Sequence, residues 1–347
     1  MSVEVRDFGT TRAGQPAHLY IIWDREDGLR VGISDFGATV VSVETTDREG
    51  ILRDVVLGYD NAEGYERGMG FYGALVGRCA NRIKDAEFLI GGKRYILAKN
   101  DRGNNCHSGP DTYNKRIWKT AEIGEKSVRL ELLSPDMDQG FPGELEISVT
   151  YSVIGNRLRI DYEAVSDRDT IVNLTNHSYF NLNGHDGASI MNHLVRINAD
   201  GITEMTPDLI PTGVIIPVRG TPYDFTMRRR LGESIEPSGD LYPGKVRGYD
   251  DNFVLNSDGG MAASAYSTDT GILMNVYTDM PGMQMYTPQQ PGSIGKKNTT
   301  YGAYGAVCFE TQYFPDAIHQ PGFMSPILRA GDVWKSTTVY EFDVVTV

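Results

Sequence analysis

Five short segments of this 347-residue chain are richer in histidine, carboxylate, amide and arginine side chains than strand formation requires. They span residues 77–83, 104–109, 173–182, 248–253 and 305–316. Carboxylates and imidazoles are the side chains that most often transfer protons in active sites. Because the segments are far apart in sequence, they form one site only if the fold brings them together. Acid–base chemistry on a small molecule is what such a site would support.

Glu310 and His177 are the strongest candidates for proton transfer, yet each also has a purely structural explanation. Alternation places Glu310 on the same strand face as Ala306 and Cys308, where a carboxylate could equally be half of a structural ion pair. Burial would raise its pKa and a nearby positive charge would lower it. His177, taken alone, is more often a hydrogen-bonded histidine of a core or a turn. Neither residue identifies an active site by itself.

The other polar residues of these segments have similar alternatives. Arg82 could cap an exposed strand, Asp250 could be a turn residue, and Gln284 could satisfy backbone groups. His107 lies in a segment rich in Gly, Asn and Asp that is expected to be a loop. Its imidazole would suit a metal ion, but no histidine or cysteine partner lies at ligand spacing nearby. The sequence therefore predicts no metal site.

Period-two alternation is the dominant secondary-structure signal in the chain. Over residues 145–153 apolar Leu, Ile, Val, Tyr and Val alternate with polar residues, and the pattern repeats over 158–165 after the turn at Gly155 and Asn156. The two runs therefore predict a hairpin. No window of a dozen residues carries an apolar stripe of helical period. The 39 glycines and 16 prolines fall between short runs, as turn residues do.

These patterns predict an all-β protein. Many antiparallel strands hide their apolar faces by stacking sheets or by closing a barrel, and we favour a large antiparallel β-sandwich. No low-complexity linker, charge run or internal repeat divides the chain. We therefore expect a single domain over residues 1–347.

Composition and charge restrict the class of partner. Hydrophobic residues make up 40% of the chain and charged residues 23%, as in ordinary globular proteins. The net charge of −13 would repel both a phosphate backbone and an anionic lipid surface, so we expect neither a nucleic acid nor a membrane as partner. A neutral small molecule fits this charge better.

Cysteine use and targeting signals favour the cytoplasm. No run approaches eighteen consecutive apolar residues, and the N-terminus lacks the pattern of a secretion signal. The odd number of widely spaced cysteines suits neither a disulfide framework nor a zinc site; they are Cys79, Cys106 and Cys308. Reduced thiols and a cytoplasmic location are therefore expected.

Taken together, the polar segments resemble the aldose 1-epimerase family. Five signatures occur in the family's order over nearly the whole chain: Asn-Arg-Ile at 81–83, the loop around His107, Thr-Asn-His-Ser-Tyr-Phe-Asn-Leu at 175–182, Pro-Gly-Met-Gln-Met-Tyr-Thr at 281–287, and Glu-Thr-Gln-x-Phe-Pro-Asp at 310–316. The resemblance implies a twisted β-supersandwich with an open sugar cleft on one sheet. It also implies interconversion of the α and β anomers of free aldohexoses such as galactose and glucose.

By the same resemblance, Glu310 is expected to be the general base and His177 the general acid. The sugar ligands that it implies are Asn81, Arg82, His107, Asp250 and Gln284. Ring opening removes a proton from the anomeric hydroxyl and adds one to the ring oxygen, so one base and one acid are required. No redox change or group transfer occurs, and no cofactor is expected. The acid limb of the pH profile should report the carboxylate and the alkaline limb the imidazole.

Three residues depart from the family pattern. Cys106 stands where the family commonly has Leu, and Ser108 where it commonly has Gly. Asp251 replaces a His that often follows the aspartate. These differences affect the shape of the His107 loop and the alignment of Asp250, and therefore bear on substrate preference.

Other functions remain open at this point. A lectin-like sugar binder would share the fold class but would not need both Glu310 and His177. A glycosidase would need two carboxylates flanking the bond. The arginines at 228–230 could form a phosphate pocket for a hexose 6-phosphate, although a solvated basic turn is the simpler interpretation. Galactose, glucose and pentoses all remain open as the preferred sugar, and a monomer and a homodimer are equally compatible with the sequence.

Overall fold

The structure is a computed structural model that describes residues 2–25, 28–68, 70–238, 244–256, 259–290 and 292–346. Residues 1 and 347, the ends of the predicted domain, lie outside this range. Within it, the only α-helix is α1, Ala62–Arg67. Single turns of 3-10 helix occur at Lys84–Ala86, Tyr113–Lys115, Asp138–Gly140, Ile190–Asn192, Leu231–Glu233, Lys296–Asn298 and Ala317–His319. None of the described helices has the length and apolar character needed to cross a bilayer.

Strands make up nearly all of the remaining regular structure. In chain order they are β1 Val3–Thr10, β2 Pro16–Trp23, β3 Arg30–Ser34, β4 Thr39–Thr46, β5 Leu52–Asp54, β6 Ala74–Val76, β7 Arg82–Ile83, β8 Glu87–Ile90, β9 Lys93–Ile96, β10 Asn105–Cys106, β11 Lys119–Ile123, β12 Ser127–Ser134, β13 Leu145–Ile154, β14 Arg157–Ser166, β15 Thr170–Ile171, β16 Thr175–His177, β17 Tyr179–Phe180, β18 Leu194–Ile197, β19 Ala199–Met205, β20 Pro211–Pro217, β21 Arg229–Arg230, β22 Asp250–Leu255, β23 Met261–Tyr266, β24 Ile272–Thr278, β25 Gly282–Tyr286, β26 Val307–Gln312, β27 Ile327–Leu328 and β28 Val333–Val344.

Three large antiparallel sheets form the body of the fold. A five-stranded sheet runs β1-β2-β3-β4-β5, and a nine-stranded sheet runs β11-β12-β13-β14-β28-β24-β23-β18-β21. A six-stranded sheet runs β17-β26-β25-β22-β19-β20. Side chains from all three, for example Ile22, Val149 and Phe253, pack into one hydrophobic core. The predicted all-β, antiparallel sandwich is confirmed.

The predicted hairpin is formed by β13 and β14. Val153 pairs with Leu158 across the two-residue turn, where Gly155 has a φ of 63°. Glycine adopts this left-handed conformation without a steric penalty, which allows the chain to reverse tightly. Every second residue of β13 from Leu145 onward is buried, whereas its neighbours are exposed or half-buried. The alternation in the sequence therefore reports the buried face of a real strand.

Cross-strand register in the six-stranded sheet positions part of the functional site. Gln284 of β25 lies opposite Glu310 of β26, and Asp250 of β22 lies opposite Tyr286. Directly opposed residues of an antiparallel pair point to the same side of the sheet. One face of these three strands is consequently polar, while the other carries residues such as Phe253 and Phe309 into the core.

A buried arginine fixes the chain just before the first polar segment. The Arg78 side chain is fully buried and donates to the carbonyl oxygens of Pro142 and Gly143. It also donates to the hydroxyls of Ser134 and Thr170. Because unmade hydrogen bonds to a buried cation are costly, these contacts hold the backbone that leads to residues 81 and 82 in one place. Arg78 thus has a structural explanation that its segment alone did not reveal.

Candidate active site

All seven residues predicted for the site line one cleft of about 230 Å³. They are Asn81, Arg82, His107, His177, Asp250, Gln284 and Glu310. Three aromatic residues complete the lining: Phe71, Tyr179 and Tyr286. A concave, mostly polar cleft of this size suits a single small polar molecule.

Glu310 and His177 form a buried pair at the centre of this cleft. Glu310, on β26, is 2% exposed, and His177, at the end of β16, is 5% exposed. The Glu310 Oε1 atom lies 3.4 Å from the His177 Nε2 atom. Among the described residues the other carboxylate oxygen, Oε2, and the other ring nitrogen, Nδ1, have no hydrogen-bond partner. Among the described residues, His177 is the only ion-pair partner of Glu310. A structural Glu–Lys or Glu–Arg pair therefore does not explain why a carboxylate is buried at this position.

Burial shifts the pKa values of the two groups in opposite directions. Burial, reinforced by the negative charge of Asp250, raises the pKa of Glu310 well above its usual range, while Arg82 opposes this shift. Burial, reinforced by His107, lowers the pKa of His177 well below its usual range. Both shifts favour the uncharged form of each group. Because two titratable groups in contact titrate as a coupled pair, we expect each limb of the pH profile to report the pair rather than a single residue.

His107 is held by a backbone hydrogen bond that fixes its tautomer. The backbone N–H of Asn81 donates to His107 Nδ1 at 3.2 Å. A neutral imidazole that accepts at Nδ1 carries its proton on Nε2. His107 is consequently a hydrogen-bond donor through Nε2. Burial lowers its pKa to about 3, so the ring stays neutral at ordinary pH.

The tautomer of His107 also bears on whether the cleft could bind a metal ion. The fold brings one ligand atom each of His107, His177 and Glu310 within 4.8 Å of one another. Spacing in sequence was therefore an insufficient reason for rejecting a metal cluster, because folding assembles residues from three segments. A histidine that binds a metal usually donates its other ring N–H to a carbonyl or carboxylate, whereas His107 accepts an N–H there. This donor set fits a hydrogen-bonding site better than a metal centre.

Arg82 is oriented by a carboxylate outside the predicted set. Its Nε donates to Asp101 Oδ2 at 2.6 Å, and its side chain is 12% exposed. Asn81 precedes it with a positive φ of 59°, and the Asn81 Oδ1 atom accepts from the backbone N–H of Arg82. Asparagine tolerates this conformation better than most residues. Arg82 therefore starts β7 and does not cap an exposed strand.

Asp250 and Gln284 form a second polar pair in the cleft. The Gln284 amide donates from Nε2 to Asp250 Oδ1 at 2.7 Å. Asp250 is the first residue of β22 and not a turn residue. Its neighbour Asp251 lies on the opposite side of the strand by alternation, the side on which Phe253 enters the core. Burial raises the pKa of Asp251 to about 7. The geometry thus places Asp250 in the cleft and Asp251 on the opposite face of the strand.

Amide side chains hold the segment that carries His177. Asn173 accepts from the backbone N–H of Tyr313 at 2.9 Å, and Asn176 donates to the carbonyl of Gly73 at 2.9 Å. The Asn181 amide donates to two further carbonyl oxygens. These three asparagines therefore serve mainly to satisfy backbone groups around the cleft.

The His107 segment is more ordered than a simple loop. Asn105–Cys106 forms the short strand β10, which pairs with β7. The Asn100 side chain donates to the Cys106 carbonyl and accepts from its N–H. Ser108 is fully buried, and its hydroxyl accepts from the Cys79 N–H and donates to the Cys79 carbonyl. The departure at Ser108 thus adds two hydrogen bonds that a glycine could not make.

Several residues at or beside the cleft are not identified by the sequence analysis. Asp101 and Asn100 lie in a run of turn-forming residues, and nothing in their types distinguishes them from solvated neighbours. Phe71 and Tyr179 flank His177, and aromatic residues are usually part of a core. Only the folded arrangement shows what these side chains contact.

The arginine run at 228–230 lies away from the cleft. None of its residues lines the cleft. Arg228 packs over the ring of Tyr266, and Arg229 packs over Phe225 and donates to the Ser234 hydroxyl. These contacts account for the basic run without a phosphate ligand.

Fold and site together define a class: an all-β sandwich with a polar cleft that contains a carboxyl–imidazole pair. The sequence matches the aldose 1-epimerase family over residues 20–341. A galactose mutarotase from Mus musculus is 39% identical over 92% of this chain and 93% of its own, and an aldose 1-epimerase from Escherichia coli K12 is 33% identical over 95% and 96%. The chain belongs to the aldose 1-epimerase family.

Solved structures agree with the sequence relatives. An aldose epimerase homologue from C. elegans superimposes with a TM-score of 0.88 at 30% identity, covering 94% of this chain and all of the other. A galactose 1-epimerase from Lactobacillus acidophilus gives a TM-score of 0.84 at 25% identity, covering 99% of both chains. The fold implied by the resemblance is therefore the fold observed.

The two aspartates provide a test of the site geometry. Asp250→Ala is expected to lower kcat/KM for galactose mutarotation at least about 10-fold, because a charged hydrogen bond contributes about 1.5–3 kcal/mol. Asp251→Ala should have a mild effect, since its side chain faces away from the cleft. Polarimetry on variants of matched circular dichroism measures both rates, and the opposite ranking would contradict this assignment of faces.

The donor tautomer of His107 predicts that chelation leaves the activity intact. Mutarotation of fresh α-glucose is expected to proceed at the same rate before and after exhaustive dialysis against EDTA. The metal content of the dialysed protein, measured by mass spectrometry, controls for incomplete removal. A rate that falls on chelation and returns with a divalent ion would show that a metal is required.

Proposed function

We propose that this protein interconverts the α and β anomers of free aldohexoses such as galactose and glucose without a cofactor. Glu310 acts as the general base on the anomeric hydroxyl, and His177 as the general acid on the ring oxygen. The observation that carries the proposal is the buried pair itself, a carboxylate oxygen 3.4 Å from an imidazole nitrogen in a sugar-sized cleft. One base and one acid on adjacent oxygens of C1 are what ring opening requires.

The Glu310–His177 pair needs only one titrating proton between its two side chains to complete the catalytic cycle. Ring opening starts from the Glu310 carboxylate and the His177 imidazolium, and it leaves a carboxylic acid and a neutral imidazole. The open aldehyde rotates about the C1–C2 bond, and reclosure returns both protons along the same path. Burial favours the uncharged form of each group, which is the form present while the sugar is open. The low polarity around the pair thus stabilises the open-chain complex relative to the closed one.

The remaining polar groups supply complementary hydrogen bonds to sugar hydroxyls. Asp250 accepts, Arg82 donates, and His107 donates through Nε2. Gln284 has an Oε1 atom with no partner among the described residues, although its Nε2 is used by Asp250. Asn81 completes the set. Several fixed donors and acceptors orient a polyhydroxylated ring so that C1 faces the acid–base pair.

The charge of the cleft favours a neutral sugar over a sugar phosphate. Among the described residues that line it, Arg82 is the only permanent cation, and Asp101 already pairs with it. A phosphate group would need at least one additional uncommitted cation or an array of backbone N–H groups. This distribution supports a free hexose, such as galactose or glucose, as the substrate class.

Further properties are proposed on the same basis. The family match over residues 20–341 supports one domain over 1–347. The asparagines of the Asn-x-Ser/Thr triplets at 173 and 176 are buried, which agrees with a cytoplasmic protein whose asparagines are not glycosylated. Neither a nucleic acid nor a membrane is proposed as partner, and the protein is proposed to work as a monomer or a homodimer.

Substitution of the acid–base pair tests the mechanism. Glu310→Gln keeps the shape but removes the base, and His177→Asn keeps a hydrogen bond but removes the titrating proton. Each is expected to lower kcat about 10²–10⁴-fold with a modest change in KM, because a positioned acid or base contributes that much. Polarimetry of α-galactose measures the rates. The double variant should be little worse than the poorer single one, since both act in one step.

Glu163→Gln, in a surface ion pair with Lys335, is the matched control and should leave the rate unchanged. If folded Glu310→Gln retained more than about a tenth of the wild-type kcat, Glu310 would not be the general base. Sugar binding without any acceleration by the wild type would indicate a lectin. Release of sugar from a nitrophenyl glycoside would indicate a glycosidase.

The charge distribution of the cleft also predicts substrate class. Glucose and galactose are expected to give higher kcat/KM than glucose 6-phosphate, which anomer-exchange NMR measures for all three. An Arg228→Ala, Arg229→Ala and Arg230→Ala triple variant should leave these ratios unchanged. Faster turnover of glucose 6-phosphate that is lost in the triple variant would move the protein to the phosphate-specific class.

A further inference from the structure

Two aromatic rings lie nearly parallel to the His177 ring. The Tyr179 ring centroid lies 4.9 Å from that of His177, with the planes inclined by 13°. Phe71 lies nearly parallel as well, at 5.9 Å and 17°. The Phe71 ring also approaches His107, with centroids 4.8 Å apart. His177 is thus held in one plane by contacts on its faces.

No side chain of the described residues makes a hydrogen bond to the His177 ring nitrogen that faces away from Glu310. Catalytic histidines are usually oriented by a third group that binds the ring nitrogen opposite the reacting one. The Nδ1 atom of His177 is buried and has no such partner, while Nε2 faces Glu310. Rotation of the ring about its Cβ–Cγ bond is therefore limited by the two stacked neighbours rather than by a carboxylate.

Phe71 is itself fixed by the segments on either side of it. Before it, Lys115 Nζ donates to the carbonyl oxygens of Tyr65 and Gly68 at the end of α1. After it, the Gly73 N–H donates to the His177 carbonyl at 3.0 Å. The adjacent Tyr72 is buried in an aromatic cluster. Phe71 is half-buried, so one side of its ring packs against the protein and the other faces the cleft.

The other groups around His177 are polar or titratable. Glu310 faces Nε2, His107 lies at 5.6 Å between ring centroids, and Tyr286 stands edge-on at 6.1 Å. Tyr179 carries a phenol, which burial keeps un-ionised by raising its pKa. Phe71 is the only purely apolar side chain among the described residues that line the cleft. Phe71 therefore places an apolar surface beside the imidazole, where the other residues that line the cleft are polar or carry a polar group.

We propose that Phe71 is a positioning residue, which together with Tyr179 holds the His177 ring in the plane facing Glu310 and keeps water from its exposed face. The inference rests on the proposed role of His177 as the general acid. Phe71 contacts the proposed general acid, His177, and need not contact the reacting atoms of the sugar. An aromatic ring at this position is required, whereas a flexible aliphatic side chain of similar volume is not sufficient.

The test compares Phe71→Leu with Phe71→Tyr by polarimetry over a pH range. Phe71→Leu is expected to lower kcat about 10-fold, with a smaller change in KM, because the acid is no longer held in its reactive orientation. In Phe71→Leu, access of water favours the charged imidazolium of His177. The Glu310–His177 pair therefore takes up its second proton at higher pH than in the wild type. The acid limb of the profile should move upward. Phe71→Tyr should retain most of the activity and the wild-type limb.

A second readout does not depend on activity. Titration of the histidine ring nitrogens by NMR, with the His177 signal assigned from its absence in His177→Asn, follows the same protonation directly. Phe71→Leu is expected to raise the midpoint of His177 by about 1 pH unit. Tyr95→Leu removes a ring stacked on Phe88 at 5.4 Å and 22° outside the cleft, and serves as the matched control. It should change neither titration nor rate.

The outcomes separate this inference from the proposed function. An unchanged His177 titration and acid limb in folded Phe71→Leu would overturn the positioning role, and so would a loss confined to KM, which would make Phe71 a sugar contact only. An equal loss in Phe71→Tyr would also overturn it. Wild-type activity in His177→Asn would instead refute the general acid, and with it the basis of the proposal.

Discussion

The register between β22, β25 and β26 is the constraint on which the site depends. It aligns Gln284 with Glu310 and Asp250 with Tyr286, so that the polar residues of three strands share one face. Because side chains alternate, a slip of one residue would turn Glu310 into the core and bring an apolar neighbour into the cleft. The apolar residues on the reverse face therefore fix the polar face of the sheet as firmly as any contact within the cleft.

Strand pairing alone does not complete the site, because Asn81, Arg82, His107 and His177 come from short segments beside the sheet. Those segments are held by side chain to backbone hydrogen bonds, such as those of Asn176, Ser108 and Arg78. Asn81, His107 and Ser108 all have positive φ angles. Such conformations are costly for residues other than glycine and persist where surrounding contacts impose them. Local strain at the cleft is thus offset by buried polar contacts nearby.

The sequence predicted much of this because the informative patterns are local. Alternation over 145–153 marks a strand whatever its partners are, and the signature segments mark the residues that meet in the cleft. What could not be predicted depends on distances between segments. Asp101 is one of many turn residues until Arg82 lies 2.6 Å away, and the clustering of His107 with His177 and Glu310 appears only on folding. The directions in which the pKa values of Glu310 and His177 shift also depend on burial, which residue types do not encode.

The uncharged state favoured for Glu310 and His177 has a consequence for the dependence on ionic strength. Salt screens interactions between exposed charges separated by more than about 10 Å at 0.1 M, and it has less effect on buried pairs. A neutral sugar carries no charge on which a long-range field could act, and several hydrogen bonds that shape the cleft involve backbone groups. We therefore expect the salt concentration to have little effect on association or on chemistry, in spite of the net charge of −13.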